Sequence, residues 1–218
     1  MRRSYRDLPA TYGLLAVLAA IFLFEGGIAG DPSVGRLVQL GAQVNQFVLA
    51  GAWWRIVTAM FLHFSWTHFL LNAWSLFVMG ELVEPALGTR TYLIVYLASG
   101  VMGGLMSLAL YPQNQVLAGA SGAIFGLLGA TAVLAWQARG PVRSSLLRWV
   151  VGILVLNLGF DFLYPGIGVW DHVGGLIGGV LATWVIIDAY RGGGRSRYAG
   201  ALLYVLCGAA LVYMAYHA

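Results

Sequence analysis

Lysine is absent from the 218 residues, cysteine occurs once, and charge of either sign is scarce, at 9% of positions. The single Cys207 excludes an intrachain disulfide. So little charge, beside 60% apolar or aromatic residues and a strongly positive mean hydropathy, excludes a water-soluble domain of this length. With no lysine, the twelve basic residues are all arginine, and the net charge of +4 is read through membrane topology, not as a nucleic-acid footprint. Neither nucleic acid nor a separate soluble domain is expected; the bilayer is the solvent.

What is present is a series of long apolar runs separated by Arg, Pro and Gly clusters. A helix crossing hydrocarbon needs roughly 20 mostly apolar residues, and runs of that kind lie at 11–29, 66–83, 91–111, 120–138, 146–164, 172–190 and 199–217. The expected fold is therefore all-α, a polytopic membrane helix bundle of seven transmembrane helices. Arg2, Arg3 and Arg6 before the first run resemble the start of a signal peptide, but the run is long and more hydrophobic segments follow, so a retained span is expected. Ten of the twelve arginines fall at the N-terminus and in the connections after even-numbered spans, leaving Arg36 and Arg55 on the other side. The positive-inside rule then puts the N-terminus in the cytoplasm and the C-terminus outside. The first outer loop, 30–65, carries an apolar stretch from Val48 to Phe61 with Trp53 and Trp54, which suits an interfacial or re-entrant element.

Polar side chains inside spans are costly and mark function by default. His68 and Asn72 fall in the first turns of span 2, Ser121 at the start of span 4 and His172 at the start of span 6. Even-numbered spans all enter from the outer side, so three helices bring these residues to one depth. A serine hydroxyl is a weak nucleophile until a base takes its proton, and His172 is the candidate base for Ser121. His68 and Asn72, four apart on one helical face, can supply two hydrogen-bond donors to an oxyanion, and a backbone amide near Ser121 a third. Each residue alone has a plainer explanation: Ser121 as a small packing residue, His172 as a packed histidine, His68 and Asn72 as helix-bridging groups. Their common depth argues against all three together. The stripes His172, Gly175, Gly179 and Gly122, Gly126, Gly129 would let spans 4 and 6 approach closely, as in any tight bundle.

Trp54-Arg55, His63-Phe64-Ser65-Trp66-Thr67-His68 with Asn72, Gly119-Ala120-Ser121-Gly122, and His172 with Gly175 and Gly179 resemble, in order, the signature motifs of the rhomboid protease family. The resemblance runs from about Trp54 to Gly179. It implies an intramembrane serine endopeptidase with a Ser121 and His172 dyad, acting in or near transmembrane segments of membrane-protein substrates. It also implies an oxyanion site from His68, Asn72 and the Ser121 amide beside Gly119, and no metal or other cofactor. The six-span catalytic core would occupy 1–190, and 191–218 would be an extra C-terminal transmembrane helix. Phe125 stands where many bacterial members carry a tyrosine that stacks on the catalytic histidine, and it is expected to support His172 in the same way. Asp171 precedes His172 where a small residue is frequent, but neighbours at a helix start point in different directions, so it is not expected to orient the imidazole. Glu81 and Glu84 resemble a family position that fixes the turn between spans 2 and 3.

Two other functions fit less well. A catalytically inactive rhomboid-like protein that binds transmembrane helices would lack the serine or the base. A transporter using His63, His68 and His172 as a relay would not need Ser121 or Asn72, and a metal site would need three ligands at fixed distances. The segment from Leu163 to Asp171, with Pro165, Gly166 and Gly168, is expected to be a mobile cap, with substrate entering beside span 5. The expected location is a bacterial or archaeal cell membrane.

Overall fold

The computed structural model describes residues 8–163, 168–190 and 194–217. Helix α1 (Pro9–Phe22) opens on a proline, whose fixed φ suits a first turn. Its N-cap, Leu8, offers no side-chain acceptor. Glu84, from a later helix, supplies one instead: its carboxylate accepts the Ala10 and Thr11 N–H groups at 3.0 and 2.9 Å and the Thr11 hydroxyl at 2.6 Å. At its other end α1 runs into a π-turn, Leu23–Gly27, broken by Gly26 at φ 116°.

The first long connection contains α2 (Val34–Leu40), β1 (Gln43–Val44), α3 (Asn45–Leu49) and α4 (Arg55–Thr58), followed by a 3-10 turn, Ala59–Phe61. The stretch from Val48 to Phe61 is thus several short elements, with Trp53 and Trp54 exposed on its surface. Polar side chains hold it in place. One Arg55 guanidinium nitrogen donates to the Val38 and Ala42 carbonyls at 2.8 and 2.9 Å, and Thr58 Oγ1 donates to the Gly41 carbonyl at 2.7 Å.

Six further long helices make seven among the described residues: α5 (Trp66–Leu87), α6 (Thr89–Leu110), α7 (Ser121–Gln137), α8 (Gly140–Leu163), α9 (Val169–Tyr190) and α10 (Gly194–His217), with β2 (Val116–Leu117) between α6 and α7. Each expected apolar run overlaps one long helix, but the first run continues past α1 into the π-turn, and α8 and α10 begin well before their runs. Four helical stretches among the described residues have both the length and the hydropathy of a span: Pro9–Gly27, Thr89–Leu110, Val169–Tyr190 and Tyr198–His217. The chain is all-α apart from the two-residue antiparallel ladder of β1 with β2, which pairs Gln43 with Leu117 and Val44 with Val116. That ladder ties the first connection to the segment leading into Ser121.

Helices α6, α7 and α9 form the centre. Glycines make this possible: a Cβ on Gly175 would fall on the Gly122 carbonyl, and one on Gly179 on the Gly126 carbonyl, so α7 and α9 touch backbone to backbone. Gly174 and Gly178 do the same for α9 against Met102 and Gly103 of α6. Around this centre α1 and α5 pack through Leu14, Leu18, Phe22, Leu76 and Met79. Helix α10 leans on α9 and α6, with the Tyr204 hydroxyl donating to the Ala98 carbonyl at 2.6 Å. Leu70, Leu71 and Trp74 of α5, Trp184 of α9 and Leu202, Val205 and Tyr213 of α10 are exposed. So much open apolar surface is unsuited to water and is that of an integral membrane protein.

Candidate active site

The residues that sequence placed at one depth meet at the starts of α5, α7 and α9. Ser65 caps α5, its hydroxyl accepting the His68 N–H at 3.1 Å. One turn on, the Asn72 amide nitrogen donates to the His68 carbonyl at 3.0 Å, which occupies one of its two hydrogens and leaves the other. The His68 ring lies between Phe64, nearly parallel at 6.0 Å, and His63, edge-on at 5.2 Å.

Ser121 is the first residue of α7. It is delivered there by Gly119, whose φ of 142° few residues but glycine adopt and whose N–H donates to the Ala59 carbonyl at 2.9 Å. A side chain at Gly119 would be crowded: its Cβ would lie 2.9 Å from His68 Cε1 and Nε2 and 3.5 Å from Ser121 Oγ. Gly119 therefore lies between the imidazole and the hydroxyl, and its missing side chain lets them share one space.

His172 is buried in the first turns of α9, its ring parallel to that of Phe125 at 4.2 Å and 6°. Ser121 and Phe125 are four apart on one face of α7, so the histidine is held on the face that carries the hydroxyl. Gly175 and Gly179 continue the seam below. The structure thus brings Ser121, Gly119 and His68 together, and His172 onto Phe125, with Asn72 one turn beyond His68 on α5. Asp171 turns elsewhere: its carboxylate sits over Gly122 and Gly103. Residues 164–167 of the expected cap lie outside the described residues.

Glu25 and His63 were missed as a pair. Both are buried, and a Glu25 oxygen accepts the His63 backbone N–H at 3.2 Å. The other Glu25 oxygen and both His63 ring nitrogens have no hydrogen-bond partner among the described residues. The available signal was an acid near the end of the first apolar run. Gln43 and Asn45 were missed too. The Gln43 amide donates to the Gly104 carbonyl at 2.9 Å and that of Asn45 to the Ser107 carbonyl at 3.1 Å, anchoring the first connection on α6. Among the described residues no three His, Cys, Asp or Glu side chains gather as a metal site.

At the starts of three of its helices this membrane bundle carries a buried histidine, a buried asparagine and a half-buried serine. The chain belongs to the rhomboid family, whose Rhomboid domain matches residues 50–189. It is 32% identical over 207 residues to the rhomboid protease GluP of Bacillus subtilis, covering 95% of this chain and 40% of that protein. It is 33% identical over 196 residues to the chloroplastic RHOMBOID-like protein 9 of Arabidopsis thaliana, covering 86% of this chain and 45% of that protein. It is 31% identical over 155 residues to the Rhomboid-like protease 2 of Toxoplasma gondii, covering 69% and 54%. The chain thus spans about half, or less, of the length of these relatives.

Proposed function

We propose that this protein is an intramembrane serine endopeptidase that hydrolyses peptide bonds in or near transmembrane segments of other membrane proteins. Ser121 Oγ attacks the carbonyl carbon while His172 takes its proton and later passes it to the leaving amine; water then releases the acyl group from Ser121 by the same base. The charge that develops on the carbonyl oxygen is met by His68, by the free hydrogen of the Asn72 amide and by the Ser121 N–H. The observation that carries this reading is the parallel stack of His172 on Phe125, four residues from Ser121 on the same face of α7. Residues 1–190 form the six-span catalytic core, and 191–218 the seventh span. The N-terminus is cytoplasmic and the C-terminus outside, in a bacterial or archaeal cell membrane.

The test is covalent labelling of the detergent-solubilised protein by a serine-directed fluorophosphonate, together with cleavage of a model transmembrane substrate. The parent is labelled and active. Ser121→Ala is neither, and His172→Ala loses cleavage. The double variant is no worse than either single, because the two act as one unit. Appreciable turnover by purified Ser121→Ala would refute the assignment, and a parent that is neither labelled nor active would leave a rhomboid-like binder of transmembrane helices.

A further inference from the structure

Helix α7 begins with an unsolved local problem. Its first internal bond is made by the Ile124 N–H to the Ala120 carbonyl, so the N–H groups of Ser121, Gly122 and Ala123 lie ahead of the helical ladder. Its N-cap, Ala120, has no side-chain acceptor, and Gly122 and Ala123 are buried. A carboxylate is brought there by another helix. Asp171, in the first turn of α9, sets its carboxylate against Gly122, beside these open N–H groups. Its carboxylate fills the space that side chains on two glycines would need. A Cβ on Gly122 would meet only that carboxylate, with Oδ1 at 2.6 Å and Cγ at 2.7 Å. One on Gly103 of α6 would meet Asp171 Oδ1 at 2.6 Å and the Asp171 carbonyl at 2.7 Å. The negative group lies at the positive end of α7, where it is favoured.

Successive residues of a helix point about 100° apart. As Asp171 turns into the seam between α6 and α7, His172 turns onto Phe125. The His172 N–H donates to the Gly168 carbonyl at 3.0 Å, so both belong to one ordered turn. We propose that Asp171 is a positioning residue for the hydrolysis: seated between Gly103 and Gly122, with its carboxylate at the start of α7, it fixes α9 on α7 and so sets His172 against Ser121. This rests on the assignment of Ser121 and His172 made above.

The experiment compares Asp171→Ala, Asp171→Asn and Gly122→Ala with the parent, measuring kcat and KM on one transmembrane substrate and the rate of Ser121 labelling by fluorophosphonate, normalised to the labelled end point. Asp171→Ala lowers kcat and the labelling rate at least tenfold with KM within about twofold. Asp171→Asn, which keeps an oxygen beside Gly122, stays within about threefold. Gly122→Ala loses activity by displacing the carboxylate, and adding it to Asp171→Ala costs little more. If Asp171→Ala does not fold, the asparagine variant and Gly122→Ala still decide. Unchanged kcat in Asp171→Ala, a loss confined to melting temperature, or an asparagine variant as slow as alanine each overturns the proposal. Labelling that survives Ser121→Ala would instead overturn the dyad itself.

Discussion

The ring of Phe125 lies flat against His172, and an aromatic contact of this kind is worth roughly 0.5–1.5 kcal/mol beyond burial, enough to narrow an imidazole's orientations but not to make a base. The face of the ring matters here and a phenolic hydroxyl does not. Phe125→Tyr is therefore expected to keep turnover near the parent's, Phe125→Leu to lower it, and Phe125→Ala to lose most of it while the protein still inserts and folds. Turnover of the three variants on one substrate is the check; equal rates for leucine and tyrosine would reduce Phe125 to ordinary core and leave Ser121 and His172 untouched. This contact was legible in the sequence because the four-residue spacing fixes which side chains of α7 share a face. Glu25 and His63 were not legible as partners. They are 38 residues apart, and their contact depends on a π-turn and a loop conformation that no periodicity announces.

Among the elements, α7 and α9 approach through glycine carbonyls, so their spacing is set by backbone and cannot be relaxed by a rotamer change. Gly175→Val is expected to force the pair apart: overpacking of this kind typically costs about 1–3 kcal/mol, and here it also moves His172 from the Ser121 face. Fluorophosphonate labelling should slow at least tenfold and the melting temperature should fall. Gly152→Ala on α8, where a Cβ would meet nothing within 4 Å, is the control and should change neither. If Gly175→Val labelled at the parent rate, the seam would not be what holds the dyad together. The seven long helices among the described residues were legible, since each carries a mostly apolar run bounded by breakers, though α5 and α8 also hold charged residues and a proline. The short elements of the first connection were not. They are held by Gln43, Asn45, Arg55 and Thr58 bonding to distant carbonyls, an arrangement set by tertiary contact instead of local pattern.

At the scale of the whole molecule, α5 and α8 pack little on each other among the described residues. Helix α8 packs mainly on α7, and a groove of about 380 Å3 opens beside it, lined by Val78, Glu81 and Leu82 of α5 and Ser145, Leu146 and Trp149 of α8. On the proposed function an apolar substrate arrives from lipid, and this groove, at the end of α5 away from His68, marks where α8 can part from α5 to let it reach Ser121. A disulfide joining Leu82→Cys to Leu146→Cys, in a Cys207→Ala background, should block cleavage of transmembrane substrates and release it on reduction, while fluorophosphonate labelling continues. Unimpaired cleavage in the oxidised protein would place entry elsewhere. Glu84 and Asp171 have a consequence in time. Each sets a carboxylate at the first turn of a helix made earlier in the chain: Glu84 that of α1, Asp171 that of α7. A nascent chain inserted as far as α8 already holds Ser121, His68 and Asn72, but neither the base nor the carboxylate at the start of the helix carrying Ser121. On the proposed assignment, Ser121 therefore has no base during synthesis until α9 arrives.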